Sequence, residues 1–137
     1  MGYEPAESAV RIKGGNSNWR GPLWFPTTYL LIRSLVKLGG ALGPGFVVRT
    51  AGSNGLPITP LTMAEEIADR MIGIFRKDEQ GNRPCFGPYR KFQEDPLWKD
   101  CLLFNEYYHG ETGQGLGASH QTGWTGMVAN LIDEWRR

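Results

Sequence analysis

The hydrophobic positions along the chain predict helices separated by long glycine-rich stretches. One predicted helical face is marked by leucines three and four residues apart: Leu31, Leu35 and Leu38. Pro26 suits the first turn of that helix, where its missing N–H leaves no hydrogen bond unmade, and Gly39-Gly40 supplies a stop. We therefore predict an amphipathic helix over residues 26–38.

A second helix is predicted over residues 62–77. Its start is indicated by Thr62-Met63-Ala64-Glu65, which has the spacing of a capping box. Its apolar face is formed by residues at near-helical spacing: Met63, Ile67, Met71 and Ile74. Glu66 and Arg70 can form an ion pair at i, i+4 on the opposite face.

Two further helices are predicted nearer the end of the chain. Asp95-Pro96 is typical of a cap followed by a proline in the first turn, and it favours a helix that ends near His109-Gly110. The last helix begins around Thr122 to Thr125 and runs to Arg137. The apolar positions of these two helices are Leu97, Cys101, Phe104 and Tyr108, and then Trp124, Val128, Leu131 and Trp135.

The segments between these helices are long for a compact helical bundle, whose connections usually have roughly two to eight residues. Residues 39–60 are rich in glycine and proline, and they contain a possible short strand, Phe46-Val47-Val48-Arg49-Thr50, without an obvious partner. Helices joined by long loops are typical of an α/α barrel whose loops form a pocket at one end. Four helices cannot close such a barrel, so we predict an all-α chain that is part of one.

The composition of the chain argues against several classes of partner. The chain has 137 residues with 15 basic and 14 acidic side chains, for a formal net charge of +1. This balance disfavours duplex nucleic acid or an anionic membrane as a partner. No apolar run reaches the roughly 18 residues of a membrane span, and no secretory signal is recognisable. Two cysteines are too few for a disulfide framework, which favours reduced, partly buried thiols and a cytoplasmic setting.

Glu106 is the first candidate for chemistry, because it lies among aromatic residues directly before a glycine-rich run. A carboxylate in apolar surroundings needs a partner or lies at the edge of a cavity. The alternative is a structural or solvated glutamate. The glycine run Gly113-Gln114-Gly115-Leu116-Gly117 lacks the spacing of a dinucleotide-binding loop and follows a predicted helix, so it indicates close backbone approach instead.

Other side chains suggest binding. Trp19, Arg20 and Trp24 could stack on a sugar ring and donate hydrogen bonds to hydroxyl or carboxylate groups, or they could be core tryptophans with a structural arginine. His109 and His120 are eleven residues apart, a spacing that does not favour a metal site. We predict neither a metal nor an organic cofactor.

Three segments together resemble glycoside hydrolase family 63, which comprises α-glucosidases and related enzymes. They are Asn18-Trp19-Arg20-Gly21-Pro22-Leu23-Trp24, then Phe104-Asn105-Glu106-Tyr107-Tyr108-His109-Gly110 with the glycines that follow, and Thr122-Gly123-Trp124-Thr125-Gly126. They occur in the order that the family shows. The resemblance covers most of the chain and is closest to the long bacterial members.

The resemblance implies an (α/α)6 barrel and hydrolysis with inversion. It implies that residues 1–137 form a C-terminal portion of the catalytic domain and that the substrate is a carbohydrate. Glu106 matches the general base. Trp19, Arg20 and Trp24 match a pocket-lining segment, and Tyr108, His109 and Trp124 lie in the other matching segments and are predicted to bind substrate.

The general acid of the family is an aspartate upstream of the Trp-Arg-Gly-Pro segment, and residues 1–18 contain none. Asp95 and Asp100 do not match that position. We therefore expect the chain to be part of a longer enzyme, with the missing N-terminal part of the barrel as its partner. The alternative is a non-catalytic module or truncated remnant that binds sugars or another helical chain.

Overall fold

The computed structural model describes residues 3–9 and 20–135. In this part of the chain, three helices of eight or more residues are joined by short helical turns and two small sheets. The helices are α1 (Phe25–Leu42), α2 (Pro60–Gly73), α3 (Arg90–Glu94), α4 (Thr122–Thr125) and α5 (Val128–Trp135), with 3-10 turns at Ala51–Ser53 and Pro84–Phe86. The strands are β1 (Val48–Arg49), β2 (Pro57–Ile58), β3 (Tyr107–Tyr108) and β4 (Gly115–Leu116).

Helix α1 is longer than the pattern predicts. It continues through Gly39 and Gly40 and ends before Gly43, whose φ of +76° stops it. Gly39 lies where α1 meets the start of α2, because a Cβ at this position would be 3.5 Å from the backbone nitrogen of Leu61. The predicted stop at Gly39 is therefore wrong, since this glycine serves close helix packing.

Helix α2 starts two residues earlier than predicted. Thr59, and not Thr62, is the cap: its hydroxyl accepts a hydrogen bond from the Thr62 N–H at 3.1 Å. The helix ends at Gly73 instead of residue 77. No helix within residues 3–9 and 20–135 is long and apolar enough to cross a membrane.

The core lies between α1, α2 and α5, and the β3 strand reaches into it. Helices α1 and α5 both pack on α2. The fully buried members of the core are Phe25, Ile32, Ala64, Ala68, Met71, Tyr108 and Leu131. The side of α1 that is buried is thus the side of Phe25 and Ile32.

The predicted leucine face of α1 is the outer one. Leu31, Leu38 and Leu42 are 49%, 43% and 48% exposed, and Leu35 is only half-buried. These four residues form a continuous stripe along the helix, which we call the α1 stripe. Leu35 also packs against the core, so the exposed part of the stripe is Leu31, Leu38 and Leu42.

The predicted helix over residues 95–109 is absent. Asp95 caps only a single turn, in which its carboxylate accepts a hydrogen bond from Leu97 N–H at 2.8 Å. Further along, Tyr107–Tyr108 is a strand that pairs with Gly115–Leu116. The glycine run therefore follows a strand and not a helix, but an antiparallel hairpin is still not the strand–loop–helix of a dinucleotide site. The possible strand near Val48 does form, and its partner is β2.

The two cysteines differ in environment. Cys85 is buried in the core, and burial raises the pKa of its thiol from 9.0 to about 11, so the neutral thiol persists at physiological pH. Cys101 is exposed, contrary to the prediction that both thiols are partly buried. Both are free thiols.

Candidate functional site

The candidate site is built on the hairpin formed by β3 and β4. Its strands pair antiparallel, with Tyr107 opposite Leu116 and Tyr108 opposite Gly115. The loop between them is closed by a hydrogen bond from His109 N–H to the Gln114 carbonyl at 2.8 Å. Glu106 immediately precedes β3, so the hairpin determines where its carboxylate lies.

An extra residue on the second strand determines the position of Glu106. Continuing the register would place Ala118 opposite Asn105, but the Glu106 N–H donates instead to the Ala118 carbonyl at 2.7 Å. The extra residue is Gly117, whose φ is +67°. This is the arrangement of a β-bulge, which changes the direction of neighbouring side chains.

The half-buried carboxylate of Glu106 turns back onto this bulge. Its Oε2 accepts a hydrogen bond from the Ala118 N–H at 3.3 Å. A Cβ at Gly117 would lie 2.7 Å from Oε2 and 2.6 Å from the ring of Tyr107. The glycine is therefore needed for both backbone conformation and space, as the prediction of close backbone approach required.

The segment that contains Trp24 pairs with the same hairpin. Leu23 and Tyr108 exchange both backbone hydrogen bonds, at 2.8 and 2.9 Å. The two chains approach closely next to this pair, because a Cβ at Gly110 would be 2.4 Å from the Gly21 carbonyl oxygen. The first and second motif segments are thus joined by an isolated β-bridge.

Three aromatic side chains join all three motif segments. The rings of Trp24 and Tyr107 stack at 4.6 Å with an interplanar angle of 26°, and Trp124 lies 5.9 Å from Trp24 at 48°. Offset and tilted aromatic pairs of this kind add stability beyond the area they bury. We call this group the tryptophan cluster.

The third segment is also hydrogen-bonded to the second. The hydroxyl of Thr125, a fully buried residue, donates to the Asn105 carbonyl, directly before Glu106. Tyr108 supports the same peptide, because its hydroxyl oxygen accepts from the Asn105 N–H at 3.1 Å. Burial raises the pKa of Tyr108, so its hydroxyl stays protonated.

Two of the predicted substrate-binding residues are packed inside the protein. Tyr108 is fully buried and meets Phe25 and Phe75 edge-on, at 5.5 and 5.7 Å between ring centroids. Trp24 is 6% exposed, and its ring is stacked on Tyr107. Both side chains position the hairpin and offer little surface to a ligand.

The other predicted residues have different positions. Trp124 is half-buried, Arg20 is exposed, and Trp19 lies outside the described residues. His109 lines a separate cavity of about 460 Å³ against α2. Its Nδ1 accepts hydrogen bonds from the N–H groups of Glu111 and Thr112, at 3.2 and 3.3 Å.

Asp95 and Asp100, which do not match the position of the family's general acid, both have structural partners. Asp100 forms an ion pair with Lys77 at 2.9 Å, and this hydrogen bond lowers the pKa of the carboxyl. A carboxylate held ionised in this way is a poor proton donor. Asp95 accepts the capping hydrogen bond described above. Within residues 3–9 and 20–135, no three His, Cys, Asp or Glu side chains are grouped so that they could hold a metal ion.

Sequence reasoning missed the roles of Tyr107, Gly117 and Thr125. The first stacks on Trp24, the second makes room for the Glu106 carboxylate, and the third holds the preceding peptide. Only Tyr107 and Tyr108 have high β propensity, because their partner strand is Gly115–Leu116. The sequence therefore gives little local signal for this hairpin.

Comparisons with known proteins give two relatives of very different character. The chain is 44% identical to the uncharacterized protein YMR196W of Saccharomyces cerevisiae, over 134 residues that make up 96% of the chain. The chain is 26% identical to a probable mannosyl-oligosaccharide glucosidase of Schizosaccharomyces pombe, over 120 residues that make up 88% of the chain. The chain spans only 12% and 11% of the lengths of these relatives.

No family model matches the chain, and no solved structure gives a significant match. The resemblance noted in the sequence is supported in part, by distant similarity to one protein that is named a glucosidase. That similarity points weakly to a glycoside hydrolase.

Proposed function

We propose that this chain is the C-terminal portion of the catalytic domain of an inverting glycoside hydrolase of the family 63 type, acting on α-glucosidic bonds of oligosaccharides or small α-glycosides. One observation carries the proposal. The first of the three segments that resemble the family is far in sequence from the other two, yet its described residues join them next to Glu106. The joining contacts are the Leu23–Tyr108 pairing, the tryptophan cluster and the Thr125–Asn105 hydrogen bond.

Glu106 is the proposed general base. Its carboxylate takes a proton from water as the water oxygen bonds to the anomeric carbon, and the bond from that carbon to the leaving oxygen breaks on the opposite face. The leaving oxygen takes a proton from an acid outside this chain. The Ala118 N–H donates to this carboxylate and holds it beside the bulge.

Hydrolysis of α-D-glucopyranosyl fluoride by the 137-residue chain tests Glu106, because fluoride departs without needing a proton from the missing acid. We expect Glu106→Gln to slow fluoride release by roughly 10²–10⁴-fold, the usual contribution of a positioned base. Proton NMR should show β-glucose as the first product. The matched control is Glu79→Gln, which removes an exposed carboxylate from a different loop and should leave the rate unchanged.

Two results would contradict the assignment. One is a Glu106→Gln variant that retains the wild-type rate, and the other is α-glucose as the first product. Circular dichroism of each variant shows whether the protein is still folded, so that a slower rate can be attributed to the missing carboxylate.

We further propose that the helices belong to a partial (α/α)6 barrel and that the rest of a longer polypeptide completes it. Support comes from the α1 stripe, whose leucines have helix-packing spacing but face outward. The occupant we propose for the stripe is an amphipathic helix from that polypeptide. The relatives are eight to nine times longer than the matched region, so they contain ample chain to supply it.

The α1 stripe also favours the second candidate function, a non-catalytic helical module that binds a partner. Exposed apolar faces of this kind mark protein–protein contacts. This candidate and the glycosidase portion both predict docking on α1, but only the glycosidase portion predicts that hydrolysis depends on Glu106.

A further inference from the structure

A cavity lies where helix α2 ends, next to α5, and we call it the basic cavity. Its volume is about 620 Å³, within the range of pockets that hold small molecules. The residues that line it are three cations and four apolar side chains: Arg76, Lys77 and Arg83, with Ile72, Phe75, Leu102 and Ile132. Within the described part of the chain, no acidic side chain belongs to this lining. The cavity thus combines an apolar surface with positive charge.

Arg83 is fixed in this lining by contacts at both of its ends. The side-chain amide of Gln93 accepts a hydrogen bond from the Arg83 N–H at 2.9 Å and donates one to the Arg83 carbonyl at 3.0 Å. At the other end, Nη1 of the guanidinium donates to the Phe75 carbonyl. The side chain of Arg83 is only 18% exposed. A cation that is held in place before binding loses little conformational entropy when a ligand arrives.

The guanidinium of Arg83 keeps hydrogen-bond donors that the protein does not use. Its Nε is buried and has no hydrogen-bond partner among the described residues. Its Nη2 lies 3.8 Å from the Asp100 carboxylate, which is too long for a hydrogen bond. A guanidinium has donors only, and leaving them unpaired in a largely buried position costs free energy. An anion beside Nη2 supplies acceptors that are missing there.

One carboxylate is shared among three cations beside the basic cavity. Asp100 is 2.9 Å from Lys77 and 3.8 Å from Arg83. The hydrogen bond from Lys77 lowers the pKa of the Asp100 carboxyl most, and the charges of Lys99 and Arg83 lower it further. Asp100 is 62% exposed, so water solvates it as well, and it does not line the cavity. It therefore leaves much of the positive charge of this group uncompensated.

The remaining charges keep the cavity positive. Arg76 forms an ion pair with Asp69 at 2.8 Å, and both side chains are more than half exposed. Together with the group around Asp100, four cations face two carboxylates, an excess of two positive charges. The carboxyl end of α2 adds a partial negative charge of about half an elementary charge, which is too small to cancel this excess. The cavity therefore favours an anion over a neutral or cationic ligand.

We infer that the basic cavity binds a phosphate monoester with an apolar organic group, through Arg76, Lys77 and Arg83. A phosphate monoester carries about −1.5 to −2 charges at neutral pH, which matches the excess of positive charge. Its oxygens accept several hydrogen bonds, and guanidinium and ammonium groups donate them. The apolar group of the ligand packs against Phe75 and Leu102. The inference does not depend on the proposed hydrolysis, because it uses none of the residues assigned to that reaction.

Titration of the ¹⁵N-labelled 137-residue chain with phenyl phosphate, followed by NMR, tests the inference. We expect saturable shifts of the amide signals of residues 75–77. Arg76→Gln and Lys77→Gln should each raise the dissociation constant about tenfold, the effect of losing a hydrogen bond between charged groups. Lys37→Gln, at an exposed lysine of α1, is the matched control and should bind as the wild type does.

Phenol and inorganic phosphate are titrated in parallel to separate the two parts of the ligand. Phenyl phosphate should bind about tenfold more tightly than either, because phenol lacks the charge and inorganic phosphate lacks the apolar group. Arg76 and Lys77 are changed instead of Arg83 because the contacts of Arg83 with Gln93 and Phe75 also hold the fold. The inference is overturned if phenyl phosphate produces no saturable shift at residues 75–77, if phenol or inorganic phosphate binds as tightly, or if both variants bind normally.

Discussion

Gly117 is the residue on which the geometry of the candidate base depends most directly. Its positive φ creates the bulge, and its missing side chain leaves room for both the carboxylate of Glu106 and the ring of Tyr107. These are two separate requirements, one of backbone conformation and one of space. The chain offers a means of separating them, because Gly55 has a similar φ of +75° with open space around it.

We predict that Gly55→Ala costs about 1 kcal/mol of the free energy of unfolding, the cost of a left-handed conformation for alanine. Gly117→Ala should cost about 3 kcal/mol, because overpacking adds to the same backbone term. Urea unfolding of both variants measures the difference. The amide signal of Ala118 in NMR should move only in Gly117→Ala, since Glu106 must leave that N–H.

Equal costs for the two glycine variants would show that the space beside Gly117 is unimportant. An unmoved Ala118 signal would show that Glu106 keeps its place despite the added methyl group. Either result would remove the proposed role of the bulge.

At the level of secondary structure, the sequence predicts the long helices well and the hairpin poorly. Periodicity located α1 and α2 to within a few residues, because their apolar positions recur with the helical period. The same reasoning is wrong at β3. The near-helical spacing of apolar residues predicts a helix there, whereas Tyr107 and Tyr108 form a strand. Pairing with a distant glycine run decides that structure, and local periodicity does not contain it.

The site was predicted to a similar extent. The resemblance points to three segments that the fold joins next to Glu106, whose role as a base stays a prediction. The burial of Trp24 and Tyr108 could not be predicted, because it depends on the Leu23–Tyr108 pairing across the fold. A tyrosine in a loop over a ligand and one that anchors a strand in a core look alike in sequence.

The hairpin is attached to the core through Tyr108, which yields a prediction about the strand. Tyr108→Phe keeps the ring contacts with Phe25 and Phe75 but leaves the buried Asn105 N–H without its acceptor. We expect a loss of about 1–3 kcal/mol in the free energy of unfolding by urea titration. Tyr89→Phe, at a residue that is 58% exposed, is the control and should change stability by less than about 0.5 kcal/mol.

A Tyr108→Phe variant as stable as the wild type would mean that the hydroxyl is not part of the anchor. The strand would then be held by ring packing and by its backbone pairing with Leu23 and with β4.

At the scale of the whole molecule, the α1 stripe is the surface that does not suit an isolated domain. Leu31, Leu38 and Leu42 remain outside although their spacing is that of a packed helix face. Leu30 is also exposed, at 65%, but it lies on a different side of α1. Leu30 therefore serves as a matched control for the stripe.

We predict that the double change Leu31→Glu and Leu38→Glu abolishes binding of the chain to the S. cerevisiae relative from which the matching region has been deleted. Charges on the stripe cannot be buried against an apolar helix without a large desolvation cost. Leu30→Glu should bind as the wild type does, and isothermal titration calorimetry measures all three. Equal loss in Leu30→Glu, or wild-type binding by the double variant, would exclude the stripe as the contact.

The Leu23–Tyr108 pairing also affects how the chain folds. Its partners are 85 positions apart, because 108 minus 23 is 85, and the ion pair between Arg33 and Glu134 spans 101 positions. Helices α1 and α2 leave the ribosome long before the strand that closes their core. Contacts this distant in sequence slow folding, so we expect this core to form more slowly than one built from local helix contacts alone.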